Sequence, residues 1–224
     1  MASGKGGVGK SSMTVNLAAA LVQKGLKVGI VDADIYGHSV PNLLGCTDGP
    51  TVLDDEMLLP PISHGIKHIS IGQFVEGNAP VVWRGPMLHR ALQQFLADVF
   101  WGDLDVLLLD LPPGTGDVAL SVAQLIPNAE LLIVTTPQAA AAEVAERAGS
   151  ISQQTRQRVA GVIENMGAMV MPDGSTMDVF GSGGGQIVAD RLGVILGHEV
   201  PLLASVPLDP TLRSGGAVSY THLT

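Results

Sequence analysis

An eight-residue segment near the start of the chain constrains the fold more than any other part of the sequence. Residues 4–11 read GKGGVGKS and match the pattern G-x-x-x-x-G-K-[ST]. Glycines lack a Cβ, so successive backbone N–H groups can turn towards one point, and the N-terminus of a following helix adds a partial positive charge. Because this pattern occurs between a strand and a helix, it predicts a phosphate-binding loop in an α/β protein.

Two side chains of the segment have predicted roles. We expect Lys10 to reach the β- and γ-phosphates of a nucleotide and Ser11 to bind Mg²⁺ through its hydroxyl group. ATP and Mg²⁺ are therefore the expected cofactors, and the alternative is a glycine-rich surface turn before a helix. The predicted nucleotide contacts in this segment are Gly4, Lys5, Gly6, Gly7, Val8, Gly9, Lys10, Ser11 and Ser12.

The residues after the loop show helical periodicity. Leu17, Leu21 and Val22 lie on one face of a helix predicted over 11–24, and Gly25 follows as a helix-ending residue. This amphipathic helix is what a phosphate-binding loop requires at its carboxyl end.

The rest of the pattern alternates short apolar runs with helical segments. Four runs lack the alternation of half-exposed strands and are expected to be buried parallel strands: 27–31, 104–109, 130–136 and 159–164. Val144 and Ile151 lie on one face of a crossover helix predicted over 139–158. A strand pair near 66–71 and a helix over 85–100 are also predicted. We expect an α/β fold with a doubly wound, mostly parallel sheet.

A carboxylate stands at the end of one predicted strand. The run Leu107-Leu108-Leu109 precedes Asp110, and the glycine-containing turn LPPGTGD follows. The carboxyl ends of parallel strands form the crevice where ligands of open α/β sheets bind, and carboxylate oxygens suit Mg²⁺. We predict Asp110 as a ligand of Mg²⁺, directly or through water; the alternative is an aspartate that caps a helix.

Composition excludes several functions. Lys plus Arg number 12 and Asp plus Glu 21, a net charge of −9, which argues against nucleic-acid or anionic-membrane partners. The apolar runs are far shorter than the roughly 20 residues of a membrane span, and no signal peptide is evident. The single cysteine, Cys46, cannot form an intramolecular disulfide, so a cytoplasmic location is expected.

Lys5 is a second lysine inside the loop. With it, the segment KGGVGKS resembles the deviant Walker A motif of the superfamily that contains MinD, ParA and the nitrogenase iron protein. The resemblance implies a P-loop homodimer with nucleotides between the subunits, in which Lys5 reaches the partner's phosphates in the manner of an arginine finger. The alternative for Lys5 is a solvated lysine.

The same superfamily implies roles for three more residues. The segment VDAD resembles its switch region, so Asp34 is expected to orient the attacking water and Asp32 to lie near Mg²⁺ behind the direct ligands. Asn165 matches a position whose amide binds the adenine edge. The alternatives are a turn-forming aspartate and a loop asparagine. The resemblance thus implies Lys5, Lys10 and Asp34 as catalytic residues, and Ser11, Asp110 and Asp32 as the magnesium site.

Five ordered segments indicate one branch of the superfamily. They are WRGPM at 83–87, DLPPGTGD at 110–117, GVIENM at 161–166, FGSGGG at 180–185 and VPLDP at 206–210. Together they resemble the Mrp/ApbC branch, the iron–sulfur cluster carrier ATPases, from residue 2 to about residue 213. The resemblance implies slow ATP hydrolysis coupled to the state of a homodimer, and transfer of a [4Fe–4S] cluster to apoproteins.

The chain departs from this branch at its cluster motif. Most carriers have a C-P-x-C pair shortly after E-N-M, and two pairs in a dimer supply the four thiolates of one cluster. Here Met171 and Gly174 stand at those positions, so no iron–sulfur ligand is identified. Cys46 is expected to be a small buried residue. His64 and His68 are not expected to bind metal.

The departures leave other functions open. One alternative is an ATP-dependent dimeric switch or scaffold of the MinD/ParA type without a cluster. Positioning proteins of that type need a basic face or a basic amphipathic C-terminal helix, and LRSGG at 212–216 supplies neither. Another is a regulatory ATPase that kept the nucleotide switch and lost the metal.

The ends of the chain also depart from the family pattern. Only three residues precede Gly4, so the strand before the loop is expected to be missing or truncated. We expect one P-loop ATPase domain over 1–224, as a fragment that lacks this strand and an upstream small domain. The tail at 218–224 is atypical.

Overall fold

The structure is a computed structural model that describes residues 1–34, 37, 39–46, 48–53, 57–74, 85–114, 116–138, 141–209 and 211, without the side chains of residues 85, 86 and 117. It divides into two compact units, which are described separately. Unit 1 combines Met1–Lys10 with Pro113–Leu212, and unit 2 contains Ser11–Pro112. The prediction of one ATPase domain stays a prediction, and the tail at 218–224 lies outside the described residues.

Unit 2 is built on a sheet of four strands. Its elements in chain order are α1 (Lys10–Gln23, whose first residue closes unit 1), β1 (Val28–Asp32), α2 (Val40–Leu43), β2 (Thr51–Leu53), β3 (Met57–Leu59), β4 (Ile62–Ser63), β5 (Ile66–Ser70), a 3-10 turn (Ile71–Phe74), α3 (Gly85–Ala97) and β6 (Val106–Asp110). The strand order is β4-β5-β1-β6, and β1 is parallel to both neighbours. β2 and β3 form a separate antiparallel hairpin.

Strand β1 is the centre of this unit because every one of its five residues is buried. The side chains of Val28 and Ile30 pack with Val15 and Ala18 of α1 and with Ile66 of β5 in one apolar cluster. Burial of such side chains contributes roughly 1.5–3 kcal/mol each. This packing fixes α1 on one face of the sheet, and the parallel register of β1 and β6 places Asp32 opposite Asp110.

Unit 1 is built on a second parallel sheet. Its elements are α4 (Asp117–Leu125), β7 (Leu131–Thr135), α5 (Ala141–Thr155), β8 (Val159–Gly167), β9 (Met169–Val170), β10 (Thr176–Met177), α6 (Gly184–Leu196) and β11 (Leu202–Pro207). The strand order is β11-β8-β7, and both pairs are parallel. β9 and β10 form an antiparallel hairpin. Gly149 of α5 lies so close to α6 that an added Cβ would be 2.8 Å from Ile195.

The strand before the loop was predicted to be missing or truncated, and at this place the structure has one bridging residue. Ala2 forms a parallel bridge with Ile133 of β7. Its N–H donates to the carbonyl oxygen of Leu132 at 2.9 Å, and its own carbonyl accepts from the N–H of Val134 at 2.9 Å. The next residue, Ser3, accepts a hydrogen bond from the N–H of Gly114 at 3.0 Å. These hydrogen bonds place the residues before the loop beside β7.

The predicted α/β class and the principal elements are confirmed. The four predicted buried strands correspond to β1, β6, β7 and β8, and the predicted helices to α1, α3 and α5. The predicted pair near 66–71 is β5 with the short strand β4. β8 continues to Gly167, beyond its predicted end. Within the described part of the chain, no helix has the length and apolar character needed to cross a membrane.

His68 is the one fully buried histidine among the described residues. It lies on β5 in register with Ile30, and neither ring nitrogen has a hydrogen-bond partner among the described residues. Burial disfavours the charged imidazolium and lowers the pKa of His68 from 6.5 to about 4. In the folded protein the ring therefore stays neutral at pH values where an exposed histidine is charged.

This burial predicts acid sensitivity. The unfolded chain binds the His68 proton near pH 6.5 and the folded chain only near pH 4, so stability falls as the pH drops between these values. We expect the parent to lose roughly 3 kcal/mol from this group between pH 7 and pH 4, and His68→Leu to lack this loss. Chemical denaturation across that pH range measures it. The exposed His198→Leu should follow the parent, and an unchanged pH dependence in His68→Leu would contradict the prediction.

Candidate functional site

The glycine-rich loop of unit 1, residues 4–10, has a backbone that only glycine adopts easily. Gly7 and Gly9 both have φ of +79°. Gly4 packs directly on helix α5, because a Cβ there would lie 3.0 Å from the Cα of Val144. Positive φ at Gly7 and Gly9 and the close approach at Gly4 all require glycine, the residue type that lets successive backbone N–H groups turn towards an anion.

Asn165, at the end of β8, holds the middle of this loop. Its Nδ2 donates to the carbonyl oxygen of Val8 at 2.9 Å, and both atoms belong to unit 1. A Cβ on Gly9 would lie 2.3 Å from the same Nδ2. The next residue of β8, Met166, has a positive φ of 58°. The predicted site residue Asn165 is thus brought to the loop, in contact with its backbone.

The two lysines of the loop differ in environment. Lys10 is only 6% exposed, whereas Lys5 is exposed. Lys5 lines a pocket of about 280 Å³ together with Gly4 and three residues of α5. This difference agrees with distinct predicted roles, one lysine facing a nucleotide held by its own chain and the other reaching outward.

Arg147 of α5 is a site residue that the sequence analysis missed. Its Nη1 donates to the carbonyl oxygen of Gly4 at 2.7 Å, and its Nη2 pairs with Glu143 one turn earlier. No motif marks an arginine in the middle of a crossover helix, so only the tertiary structure identifies it.

Glu164 was also missed, although it lies inside the segment GVIENM. Its Oε2 accepts from the N–H of Gly185 at 2.6 Å and its Oε1 accepts from the hydroxyl of Ser205 at 2.7 Å. Gly185 is in the first turn of α6, where a carboxylate satisfies otherwise unpaired N–H groups and interacts favourably with the helix dipole. Glu164 therefore anchors α6 and β11 beside the residue that contacts the loop.

In unit 2, Asp110 is completely buried at the end of β6 and accepts two hydrogen bonds from α1. The hydroxyl of Ser11 donates to its Oδ2 at 2.5 Å, and the hydroxyl of Thr14 donates to its Oδ1 at 3.0 Å. Ser11 and Asp110 were predicted to act together, and the structure brings them together. Thr14 was missed; its spacing of three residues from Ser11 places it on the same helix face. Ser12 lies in the same turn, and its carbonyl accepts from the side chain of Asn16.

Asp32 lies beside Asp110, its register partner across the β1–β6 ladder. It is fully buried and accepts hydrogen bonds from the N–H of Val40 at 3.2 Å and the hydroxyl of Ser70 at 3.0 Å. Burial, with the charge of Asp110 as a second cause, raises the pKa of Asp32 to about 6. The hydrogen bonds oppose this shift, and Ser70 is another contributor that the sequence did not signal.

Asp34 is also buried, just beyond the end of β1. Its N–H donates to Oδ1 of Asp32 at 3.1 Å, and its own Oδ1 accepts from the N–H of Gly37 at 3.0 Å. Asp34 thus forms the turn that was the alternative interpretation of this residue. The contact with Gly37 fixes the carboxylate of Asp34 just beyond the end of β1, and its role in orienting water stays a prediction.

The residues present fit the expected cofactors. Ser11, Thr14, Asp32 and Asp110 supply hydroxyl and carboxylate oxygens, the ligands that Mg²⁺ prefers. A cation would also offset the repulsion between Asp32 and Asp110 that helps raise the pKa of Asp32. The loop of unit 1 offers glycine backbone N–H groups and a buried lysine, which suit the phosphates of a nucleotide.

The residues at the predicted C-P-x-C positions form a turn in this structure. Met171 and Gly174 close a β-turn between β9 and β10, in which the N–H of Gly174 donates to the carbonyl of Met171 at 2.9 Å. Gly174 has φ of +82°, and Asp173 accepts from both the N–H and the hydroxyl of Ser175. No group of three or more His, Cys, Asp or Glu residues that could hold a metal occurs in the described ranges, and Cys46 is only partly buried.

The fold and the site define the class of the protein. A parallel α/β fold with this loop before a helix, and with a strand-end aspartate bound to the serine of the same motif, is that of a P-loop NTPase. A nucleotide-binding protein from Archaeoglobus fulgidus, solved in complex with ADP, superposes with a TM-score of 0.80 at 36% identity, over 97% of this chain and 84% of that one. The cell division ATPase MinD of Pyrococcus furiosus superposes with a TM-score of 0.65 at 24% identity, over 100% and 90% of the two chains, which shows the fold alone.

Sequence comparison then gives the family. The chain belongs to the NUBPL iron-transfer P-loop NTPases, whose family profile matches residues 1–222. An iron–sulfur cluster carrier protein from Mycobacterium tuberculosis is 70% identical over 216 residues, which cover 96% of this chain and 56% of that protein. A protein of the same name from Bacillus subtilis is 52% identical over 209 residues, 93% of this chain and 57% of that protein. The predicted resemblance to the cluster-carrier branch is confirmed, and the chain spans little more than half the length of these relatives.

Gly9 and Gly7 provide a matched test of the Asn165 contact. Both have φ of +79°, but an added Cβ would meet Asn165 at Gly9 and nothing within 4 Å at Gly7. Gly7→Ala is expected to lower the free energy of unfolding by about 1 kcal/mol through backbone strain alone. Gly9→Ala should lose a further 1–3 kcal/mol, about the usual effect of overpacking. Thermal unfolding of the two variants measures the difference.

The control for this prediction is a second substitution at the contact. Adding Asn165→Ala to Gly9→Ala removes the atom in collision and should recover part of the extra loss, whereas adding it to Gly7→Ala should not. Equal stabilities of the two alanine variants would contradict the contact.

Proposed function

We propose that this chain is the ATP-binding and ATP-hydrolysing part of an iron–sulfur cluster carrier that depends on Mg²⁺, acts as a homodimer and transfers [4Fe–4S] clusters to apoproteins. The relatives named iron–sulfur cluster carrier protein, with identities up to 70% over 96% of the chain, support this function. The observation that carries it is the pair of hydroxyl groups, Ser11 and Thr14, bound to the buried Asp110.

Nucleotide binding in this proposal depends on the glycine-rich loop. The backbone N–H groups of residues 4–10, Ser11 and Ser12 bind the phosphates, with Lys10 as the principal charge. Lys10 is already buried in the protein, so it loses little further side-chain entropy when it contacts a phosphate. Asn165 supports the loop at Val8 and, as the family resemblance implies, contributes its amide to binding of the adenine edge.

Metal binding depends on the carboxyl ends of β1 and β6. Ser11 and Asp110 hold Mg²⁺, with Asp32 behind them in hydrogen-bond contact with Val40 and Ser70. Mg²⁺, when bound, neutralises charge on the β- and γ-phosphates and aligns them for displacement. Because Asp32 and Asp110 are both buried, their positions are set before the ion binds.

Hydrolysis in this proposal uses two further side chains. Asp34 orients the attacking water, and its position is set by hydrogen bonds with Asp32 and Gly37. Lys5, exposed at the start of the loop, extends to the phosphates of the partner subunit and completes its site. A site that needs the partner's lysine hydrolyses ATP slowly as a monomer, which couples turnover to the dimer state.

One observation favours a second candidate function, a dimeric ATP-dependent switch or scaffold without a cluster. The M-P-D-G turn has the sequence preferences of a β-turn, with Pro at its second position and Gly at its fourth. Neither Met171 nor Gly174 offers a thiolate, and a side chain at Gly174 would be strained by its φ of +82°. For either function we expect neither nucleic acid nor a membrane as a partner, and we expect a cytoplasmic location.

Substitutions of Lys10 and Lys5 distinguish ATP binding from ATP hydrolysis. Lys10→Ala is expected to weaken ATP binding roughly a hundredfold or more, because a charged contact to the phosphates is lost. Lys5→Ala should bind ATP like the parent but hydrolyse it about a thousandfold more slowly, as the loss of an arginine finger does, and should not dimerise. Calorimetry, phosphate release and sedimentation measure the three properties.

The exposed Lys24→Ala serves as the control for charge removal from the surface. Equal hydrolysis rates in the parent, Lys10→Ala and Lys5→Ala would overturn the assignment of this loop as the ATPase site.

The cargo is tested by anaerobic reconstitution with iron and sulfide. The carrier function predicts a visible chromophore at about one [4Fe–4S] cluster per dimer, in keeping with one cluster held across two subunits. Cys46→Ser identifies any contribution from the single cysteine. Absence of a chromophore in a chain that hydrolyses ATP overturns the cargo half of the proposal and leaves the switch.

A further inference from the structure

One polar contact of the glycine-rich loop has no part in the proposed binding of ATP or Mg²⁺. Arg147, on helix α5, donates from Nη1 to the carbonyl oxygen of Gly4 at 2.7 Å. Gly4 begins the loop and Lys5 follows it, so the acceptor belongs to the first peptide group of the motif. Gly4, Lys5, Glu143, Val144 and Arg147 line the same pocket of about 280 Å³.

We propose that Arg147 is a positioning residue for phosphate binding, which holds the Gly4–Lys5 peptide group so that the N–H of Lys5 faces the bound phosphates. This inference rests on the proposed ATP-binding function and deepens it. Arg147 itself does not touch the nucleotide in this proposal.

The geometry of the peptide group supports this role. All described peptide bonds are trans, and in a trans peptide the C=O and N–H groups point in opposite directions. A carbonyl oxygen of Gly4 held towards Arg147 therefore turns the N–H of Lys5 away from α5. Convergence of successive N–H groups is what makes a loop bind anions. If this peptide group turned over, a carbonyl oxygen would face the phosphates and repel them.

Gly4 needs an external restraint because glycine has the largest backbone freedom. Helix α5 supplies two restraints, from residues about one turn apart. Val144 limits where the loop lies, since its Cα would be 3.0 Å from a Cβ on Gly4. Arg147 sets how the peptide group is turned. Only glycine allows the loop to lie this close to α5. The same residue, Gly4, therefore makes both the close packing with Val144 and the hydrogen bond with Arg147.

Glu143 orients the guanidinium of Arg147. It pairs with Nη2 from one turn earlier, the favourable order for a carboxylate and an arginine on a helix. The side chains of Glu143 and Arg147 are 58% and 45% exposed, so the ion pair by itself contributes little to stability. Glu143 also offsets the charge of Arg147 beside Lys5. Its contribution is therefore orientation and charge balance, and the decisive contact is the one to Gly4.

The competing explanation is that Arg147 only stabilises helix α5 through its pair with Glu143. The two explanations differ in which substitution matters. If the helix pair were decisive, Glu143→Ala and Arg147→Met would have equal effects. If the contact with Gly4 is decisive, Arg147→Met has the larger effect, because Glu143→Ala leaves the donor in place.

The test measures ATP affinity and steady-state hydrolysis of the full chain with Mg²⁺. Arg147→Met keeps the aliphatic stem and removes every donor, and should raise Kd and KM for ATP about tenfold with kcat within about twofold of the parent. Arg147→Lys keeps one donor and should restore most of the affinity. Glu143→Ala should stay within about twofold.

The matched control is Arg158→Met. Arg158 is an exposed arginine of the same unit that pairs with Glu130, and it lies just before β8, at the end of that strand away from Asn165. Thermal unfolding without nucleotide should be similar for the two methionine variants. Parent-like affinity in Arg147→Met, or an equal loss in Glu143→Ala, overturns the inference. If Arg147→Met does not fold, equally weakened affinity in folded Arg147→Lys and Glu143→Ala overturns it. Absence of ATP binding in the parent and in Arg158→Met overturns the proposed function itself.

Discussion

The buried carboxylate of Asp110 is the interaction on which the predicted magnesium site depends. Its two oxygens accept from Ser11 and Thr14, so the first turns of α1 are tied to the end of β6. A buried carboxylate is tolerated only with such partners, and removing them would leave an uncompensated charge. The neighbouring Asp32 accepts a hydrogen bond from Ser70, so four elements of unit 2, α1, β1, β5 and β6, contribute polar groups to this region.

In unit 1 the last residues of β8 make the polar contacts that hold the loop and helix α6. Glu164 binds the first turn of α6, and Asn165 binds the loop at Val8. Consecutive residues of a strand point to opposite faces, so one short segment can anchor a helix and a loop at once. The close approaches explain the glycines at 9 and 185, each of which would collide with a β8 side chain if it carried a Cβ.

The predicted nucleotide site and the predicted cluster positions differ in the side chains that they offer. The loop, Asp32, Asp34 and Asp110 have the residue types that are expected to bind ATP and Mg²⁺. At 171–174 the chain instead has a β-turn, stabilised by hydrogen bonds that the N–H and the hydroxyl of Ser175 donate to Asp173. An ATPase can lose or replace its metal cargo without losing its switch, because the two depend on different segments.

The sequence by itself determined the fold class, the loop and the strand-end carboxylates, because these depend on local patterns: glycine spacing, helical periodicity and apolar runs ending in aspartate. Unbroken apolar runs also made β1, β6, β7 and β8 recognisable, and the first three residues of β6 are only half-buried. Thr14, Ser70, Arg147 and Glu164 carried no such signal, since each matters through a partner 21 to 143 residues away in the chain. Only tertiary packing, which brings strand ends and helix faces to these distances, decided which polar side chains support the site.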